Sequence, residues 1–437
     1  MLSLVDLPVA IIGAGPVGLA AAAELVARGM WPIVLEAGPT VGAGVGEWGH
    51  VRVFSPWRYN VAPAARVLLE RSGWSAPDPE GFPTGHELLA RYLAPLAAVP
   101  ELRDAIRTGH RVRAVTREGH DKLRSAGRDA APFVLDVETA QGALRLRARA
   151  VIDASGTTGT PNPLGAGGSL AEGEAAAASR IRYGIADVLD RERARYAGRR
   201  VLVAGSGHSA FNVLIDLVSL KREVPATAIT WLVRRALGPA RYGGDAADAL
   251  PARGALGARL RELLESARIE QVVLGIAAIR PDGDALLVSD GIGEVGPFDE
   301  IIAVTGFRPD LSLLRELRVR LDETLEAPPA LAPLIDPNHH SCGTVPPHGA
   351  EELAHPEAGF YIAGMKSYGR APTFLMLTGY EQVRSIVAAL AGDVVAARSV
   401  ELVLPETGVC GGGADANGGC CTPANGLISV ESLSLPR

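Results

Sequence analysis

Two glycine-rich turns carry the chemistry open to this chain. The first is Gly13-Ala14-Gly15-Pro16-Val17-Gly18, preceded by the apolar run Val9–Ile12 and followed by an alanine-rich stretch to Arg28. The second is Gly205-Ser206-Gly207-His208-Ser209-Ala210, preceded by Val201–Ala204. Each reads as strand, tight turn and helix. Each therefore sets backbone N–H groups at a helix N-terminus, where a pyrophosphate is favoured. One such turn is weak evidence; two in this context point to a flavoprotein that also binds a nicotinamide dinucleotide.

The two turns lead to strands with oppositely charged ends. In the first, Gly13 allows the tight turn, Gly15 lets the backbone approach phosphate, and Gly18 permits close helix–strand packing. The next strand, Pro32–Leu35, ends at Glu36. A carboxylate there accepts hydrogen bonds from an adenosine ribose and repels a 2′-phosphate, so FAD or NAD fits and NADP does not. After the second turn, the strand Ile229–Val233 closes on Arg234 and Arg235 instead. Guanidinium groups suit a 2′-phosphate through paired charge-assisted hydrogen bonds, which points to NADPH. A solvated arginine pair is the competing interpretation, because Lys122, Lys221 and Lys366 are the only lysines in a chain rich in arginine.

The elements that must position these turns are α/β in pattern. At 437 residues the chain is long enough for two or three domains with substantial cores. A net charge of −6 gives no reason to expect nucleic acid. No basic region precedes the first strand, and the apolar helix Val17–Ala27 is short and interrupted by Glu24, so no membrane association and a cytoplasmic location are expected. The layout predicts two Rossmann-like dinucleotide-binding domains, the NADPH domain inserted in the FAD domain. Residues 1–165 and 307–398 form the FAD domain, 166–306 the NADPH domain, and 399–437 a flexible Cys-bearing tail. Val41–Leu102, rich in Gly, Pro, Trp and His, is expected to be irregular and to line a site. Phe133–Val137 and Leu144–Arg147 read as a strand pair, Ala150–Ala154 and Phe360–Ala363 as strands, and Phe374–Leu390 as a helix.

This pattern resembles the two-dinucleotide-domain flavoproteins, which include thioredoxin reductases and class B type flavin-containing monooxygenases. The resemblance spans most of residues 7–395. It rests on both turns, Ala154-Ser155-Gly156, Val304-Thr305-Gly306-Phe307-Arg308-Pro309 and Phe360-Tyr361-Ile362-Ala363-Gly364. Where such proteins usually carry an aspartate after that last glycine, this chain has Met365, and the short His-centred motif of flavin-containing monooxygenases is absent. The resemblance implies FAD contacts at Gly13, Gly15, Pro16, Gly18, Glu36, Ala37, Trp48, Arg52, Val112, Ala154, Ser155, Gly364 and Thr373. It implies NADPH contacts at Gly205, Ser206, Gly207, His208, Ser209, Arg234 and Arg235. A narrower similarity runs through Glu47–Asn60, His340-Ser341-Cys342-Gly343-Thr344 and the Cys-bearing tail. These look like the flavin-binding monooxygenases encoded with bacterial arsenic-resistance genes, which implies oxidation of a trivalent arsenical with NADPH and molecular oxygen.

The four cysteines bear on this separately. Cys342, Cys410, Cys420 and Cys421 form no Cys-x-x-Cys, so the flavin-facing dithiol of a thioredoxin reductase is missing. The glycine-rich spacer between Cys410 and Cys420 spans roughly 17 Å, so these thiols can meet. Clustered thiolates select a soft ion, with trivalent arsenic or mercury both suited; a disordered tail with incidental cysteines is the plain alternative. Cys342 is a candidate for holding substrate beside the flavin, or simply part of a turn with Asn338, His339 and His340. Lys366 is a candidate for placing positive charge near reduced flavin, aided by the helix starting near Thr373. Trp48, Phe54 and Trp57 are candidate shielding walls or ordinary core. The expected reaction is hydride transfer from NADPH to flavin, then transfer of oxygen from a flavin hydroperoxide to a soft nucleophile. Two other classes stay open: a reductase that uses its C-terminal thiols, and a non-catalytic redox or metalloid sensor.

Overall fold

The computed structural model describes residues 4–236, 251–266, 269–338, 345–372 and 374–402. Strand β1 (Val9–Ile12) is four buried apolar residues, and the helix Pro16–Ala27 leaves it through the first glycine turn. Ala20 to Ala23 are all fully buried, because a run of methyl-sized side chains lets the helix lie close to the sheet on one side and to the helix Met376–Leu390 on the other. Strand β2 (Pro32–Leu35) returns parallel to β1, Val9 opposite Pro32 and Ile12 opposite Leu35.

The next stretch corrects the expectation of irregular chain over Val41–Leu102. It is built mostly from helices: Pro63–Arg71, Pro100–Arg103, and one continuous run of Gly85–Leu88, the π-helical turn Leu89–Leu93 and Ala94–Ala98. The π-helical turn and Pro95 disturb the 3.6-residue repeat of that run, and the other helices are short, so apolar periodicity does not reveal them. One local signal was legible: Thr84 and Glu87 form a reciprocal capping box at the start of Gly85–Leu88. Tertiary burial of Leu68, Leu69, Leu88, Tyr92, Leu96 and Leu102 stabilises the group.

Strand β3 (Ile106–Arg107) then adds to the outer side of β2. The expected strand pair is present and longer, as β5 (Phe133–Thr139) and β6 (Gly142–Ala148). It is joined by β4 (Arg111–Arg117) into a three-stranded antiparallel sheet. Phe133, Leu135 and Val137 alternate inward along β5, as a one-sided sheet demands. Strand β7 (Ala150–Asp153) re-enters the parallel sheet beside β1.

A second parallel sheet comes next. It holds β8 (Ile181–Tyr183), β9 (Arg200–Ala204), β10 (Ala228–Val233) and β11 (Glu270–Val273). An antiparallel trio interrupts it, β12 (Ala278–Asp282), β13 (Ala285–Ser289) and β14 (Glu294–Phe298), before β15 (Glu300–Ala303) completes it. Its order is β11-β10-β9-β15-β8. The chain then returns, and β16 (Phe360–Ile362) pairs with β7, giving the first sheet the order β16-β7-β1-β2-β3. The architecture is therefore the expected one: a Rossmann-like unit inserted into another.

The return is fastened by one carboxylate. Glu357, just before β16, is buried and accepts from Arg117 Nε at 2.8 Å, Arg128 Nη2 at 2.8 Å and the Arg318 amide at 2.9 Å. Burial raises its pKa, but the hydrogen bonds from Arg128, the Arg318 amide and Arg117 outweigh that and hold it below the usual range. Glu357→Ala would leave two buried guanidiniums uncompensated. We expect it to lower unfolding stability by about 3–5 kcal/mol in urea titration, with Glu357→Asp showing a smaller loss.

Two histidines near the same return give a pH signature. Burial lowers the pKa of both His348 and His355, the latter to about 4. The unfolded chain protonates both near 6.5, so it takes up protons where the folded state does not. Stability should therefore fall as pH drops from 6.5 towards 4, and His355→Gln should flatten that slope. A slope unchanged by the substitution would assign it to other groups.

Candidate functional site

Three strand ends of the first sheet converge at the first glycine turn. Gly13 has φ +98°, and a Cβ there would stand 2.7 Å from the Ala154 carbonyl oxygen and 2.9 Å from Ser155 Cα. A Cβ on Gly18 would fall 2.0 Å from the Gly13 oxygen. Gly15 is different: nothing lies within 4 Å of the position its Cβ would take. Two glycines are thus required by packing, and the third leaves an open cradle at the N-terminus of Pro16–Ala27. Glu36 lies beside it, Oε2 accepting from the Ala14 amide at 2.8 Å and Oε1 from the Gly38 amide at 2.7 Å. Those bonds aim the carboxylate at the turn and leave lone pairs for a ribose. Ala37 comes next, on the surface.

Opposite, the chain after β16 turns at Gly364, φ +72°, whose Cβ would meet Val17 at 3.2 Å. Its amide donates to Gln382 Oε1 at 2.7 Å; Gln382 Nε2 donates to Ser367 Oγ and His348 Nε2, each at 2.9 Å. Lys366, expected to offer its charge to a cofactor, is buried instead. Its Nζ donates to Asp153 Oδ2 at 2.7 Å and to Ser155 Oγ at 3.0 Å. Asp153 Oδ1 in turn accepts from Ser155 Oγ at 2.7 Å and from its amide at 3.1 Å. The pair ties the ends of β7 and β16 together under the cradle. Asp153, Gln382 and His348 are residues that sequence reasoning missed. Asp153 had a signal, since a carboxylate inside an otherwise apolar strand needs a buried partner.

The remaining first-domain candidates are more dispersed. Trp48 is half-buried against the Gly85 turn, and Trp57 is core. Arg52 is exposed, donates to the Phe82 carbonyl and bridges to Thr84. Val112 is half-buried on β4, packed on the apolar cluster around Phe133. Cys342, Thr373, Cys410, Cys420 and Cys421 lie outside the described residues.

The second turn repeats the design. Gly205 has φ +143°, its Cβ position 2.3 Å from the Val304 oxygen, while Gly207 has nothing within 4 Å. The helix His208–Glu223 starts there, with Ser206, His208 and Ser209 half-buried around the opening. Trp231 Nε1 donates to the Gly205 oxygen at 2.7 Å and pins the turn. Arg234 and Arg235, directly after β10, are exposed, and Arg234 Nη1 donates to the Ala166 oxygen at 3.3 Å. One open cradle thus ends on a carboxylate and the other on two guanidiniums.

The two chain crossings between the sheets run side by side. Asn162 donates from its amide to the Gly306 oxygen at 2.9 Å, Arg308 to the Thr160 oxygen at 3.0 Å, and Thr305 Oγ1 to the Asn162 oxygen at 2.5 Å. Among the described residues no group of three or more His, Cys, Asp or Glu could hold a metal ion, and no helix is long and apolar enough to cross a membrane.

Solved structures with this fold include bacillithiol disulfide reductase of Bacillus cereus, at 19% identity and TM-score 0.62 over 88% of this chain and 99% of that one. A flavin-containing monooxygenase of Stenotrophomonas maltophilia matches at 22% identity and TM-score 0.54, covering 88% and 98%. The cadaverine monooxygenase of Erwinia amylovora, solved bound to FAD, matches at 13% identity and TM-score 0.61, covering 94% and 99%. No match is found among curated proteins. The family model described as pyridine nucleotide-disulphide oxidoreductase matches residues 10–334, and the chain belongs to that family of enzymes.

Proposed function

We propose that this chain is a flavoprotein monooxygenase that binds FAD in the first cradle, draws electrons from NADPH in the second, and oxidises a small soft nucleophile with molecular oxygen. The observation that carries the reading is the pair of open glycine cradles ending on opposite charges. Gly13, Gly15, Pro16, Gly18 and Glu36 suit FAD, with Ala154, Ser155 and Gly364 closing the far side. Gly205, Gly207 and His208 suit the pyrophosphate of NADPH, and Arg234 and Arg235 its 2′-phosphate. Residues 1–165 and 307–398 then serve FAD, and 166–306 serve NADPH. When bound, flavin supplies the redox chemistry, accepting hydride and activating oxygen.

The protein's own residues orient and seal. The Asp153–Lys366–Ser155 network fixes the strand ends under the first cradle and satisfies the lysine charge internally, so Lys366 acts by positioning. The four cysteines form no Cys-x-x-Cys, so the paired thiols that relay electrons from flavin to a disulfide in a thioredoxin reductase are missing. That favours oxygen as the oxidant. Trivalent arsenicals are the substrate class that suits the cysteines at 342, 410, 420 and 421, soft ligands for a soft element. Cys342 would hold arsenic during oxidation, and the three tail thiols would collect it.

The deciding measurement is stoichiometry. With arsenite and a panel of methyl and phenyl arsenicals(III), the purified holoenzyme should consume one oxygen per NADPH and yield the pentavalent product. Anaerobic turnover of NADPH against a disulfide or mercuric ion would make it a reductase. The coenzyme assignment has its own test. Arg234→Ala with Arg235→Ala removes charge-assisted hydrogen bonds worth about 1.5–3 kcal/mol each, so KM for NADPH should rise more than tenfold while NADH kinetics hardly move.

A further inference from the structure

One segment of the first domain touches the mouth of the second cradle. It is stiff: the Val53 amide donates to the Pro83 oxygen at 2.9 Å and the Gly85 amide to the Val51 oxygen at 3.0 Å. Fully buried Asn60 closes its far end, Nδ2 donating to the Ser55 oxygen at 2.7 Å while Ser55 Oγ donates to Asn60 Oδ1 at 2.8 Å. From this frame the Phe54 ring reaches His208, the first residue of the second-cradle helix, with centroids 5.6 Å apart. The stack continues through Phe211 at 5.5 Å to Trp231 at 6.2 Å, and Trp231 holds the Gly205 carbonyl. A rigid aromatic line thus joins the first domain to the turn itself.

The strand order gives the direction of a dinucleotide in that cradle. Arg234 and Arg235 come directly after β10, so the adenosine half lies over β10 and the pyrophosphate over Gly207. The other half must run the opposite way, across the ends of β15 and β8. His50, from the same stiff segment, faces Asp187 and the Ala186 backbone, just beyond β8. Phe54 and His50 therefore stand on the nicotinamide side, with the first domain behind them.

We propose that Phe54, backed by His208, is the positioning residue for the nicotinamide end of the second dinucleotide: its ring packs against the nicotinamide riboside and holds it towards the first cradle. This rests on the NADPH reading of the second cradle. Aromatic packing of this kind contributes a few-fold to an order of magnitude in affinity. The test is calorimetric titration of the FAD-loaded enzyme with NADP⁺ and with 2′,5′-ADP, which lacks the nicotinamide half. Phe54→Ala should raise the Kd for NADP⁺ about three- to tenfold and leave that for 2′,5′-ADP within about twofold, and Phe54→Tyr should restore NADP⁺ binding. Equal weakening of both ligands, or of neither, would overturn the role of Phe54. If the unaltered enzyme fails to bind 2′,5′-ADP at all, the NADPH reading falls and this proposal with it.

Discussion

A close contact between a turn glycine and the carbonyl at the end of a neighbouring strand governs both halves of the molecule. Gly13 lies against the Ala154 oxygen and Gly205 against the Val304 oxygen, each too near for any side chain. Both amides donate to the strand on the other side, Gly13 to the Leu35 oxygen at 2.8 Å and Gly205 to the Leu232 oxygen at 3.1 Å. Each turn is thereby wedged between two parallel strands. The next helix is aimed with its unsatisfied N–H groups outward, and the open glycine in each turn leaves room there for phosphate.

The same contact explains why the domain crossings are where they are. Ala154 and Val304, the residues against which the glycines rest, are the first residues beyond β7 and β15, where the chain leaves one sheet for the other. Each crossing therefore starts at the floor of a cradle. The hydrogen bonds between Thr160–Asn162 and Thr305–Arg308 zip the two crossings together, so the cradles are not independent bodies on a loose tether. Reciprocal approach of two dinucleotides requires that kind of fixed geometry.

Two buried ion-pair sites join the chain to itself. Asp153 and Lys366 neutralise each other beneath the first cradle, and Glu357 is shared by Arg117 and Arg128 at the return to the first sheet. Both sites join segments far apart in sequence. An uncompensated charge at either would be costly, so each fixes which segments meet.

The sequence by itself determined the two cradles, because a glycine turn between an apolar strand and a helix is a local backbone requirement visible in residue types. It also determined the contrast between Glu36 and the Arg234–Arg235 pair, and the antiparallel pairing around Phe133–Thr139, where alternation shows the buried face. Only the tertiary structure decided the rest. The helices between Val41 and Leu102 are held by burial against distant residues, and are either short or interrupted by a π-helical turn that blurs the periodic signal. The partner of Lys366 lies more than two hundred residues away at Asp153, a distance at which spacing says nothing about contact. The meeting of Phe54 with His208 likewise depends on how two separately folded sheets are set against each other, which no local pattern encodes.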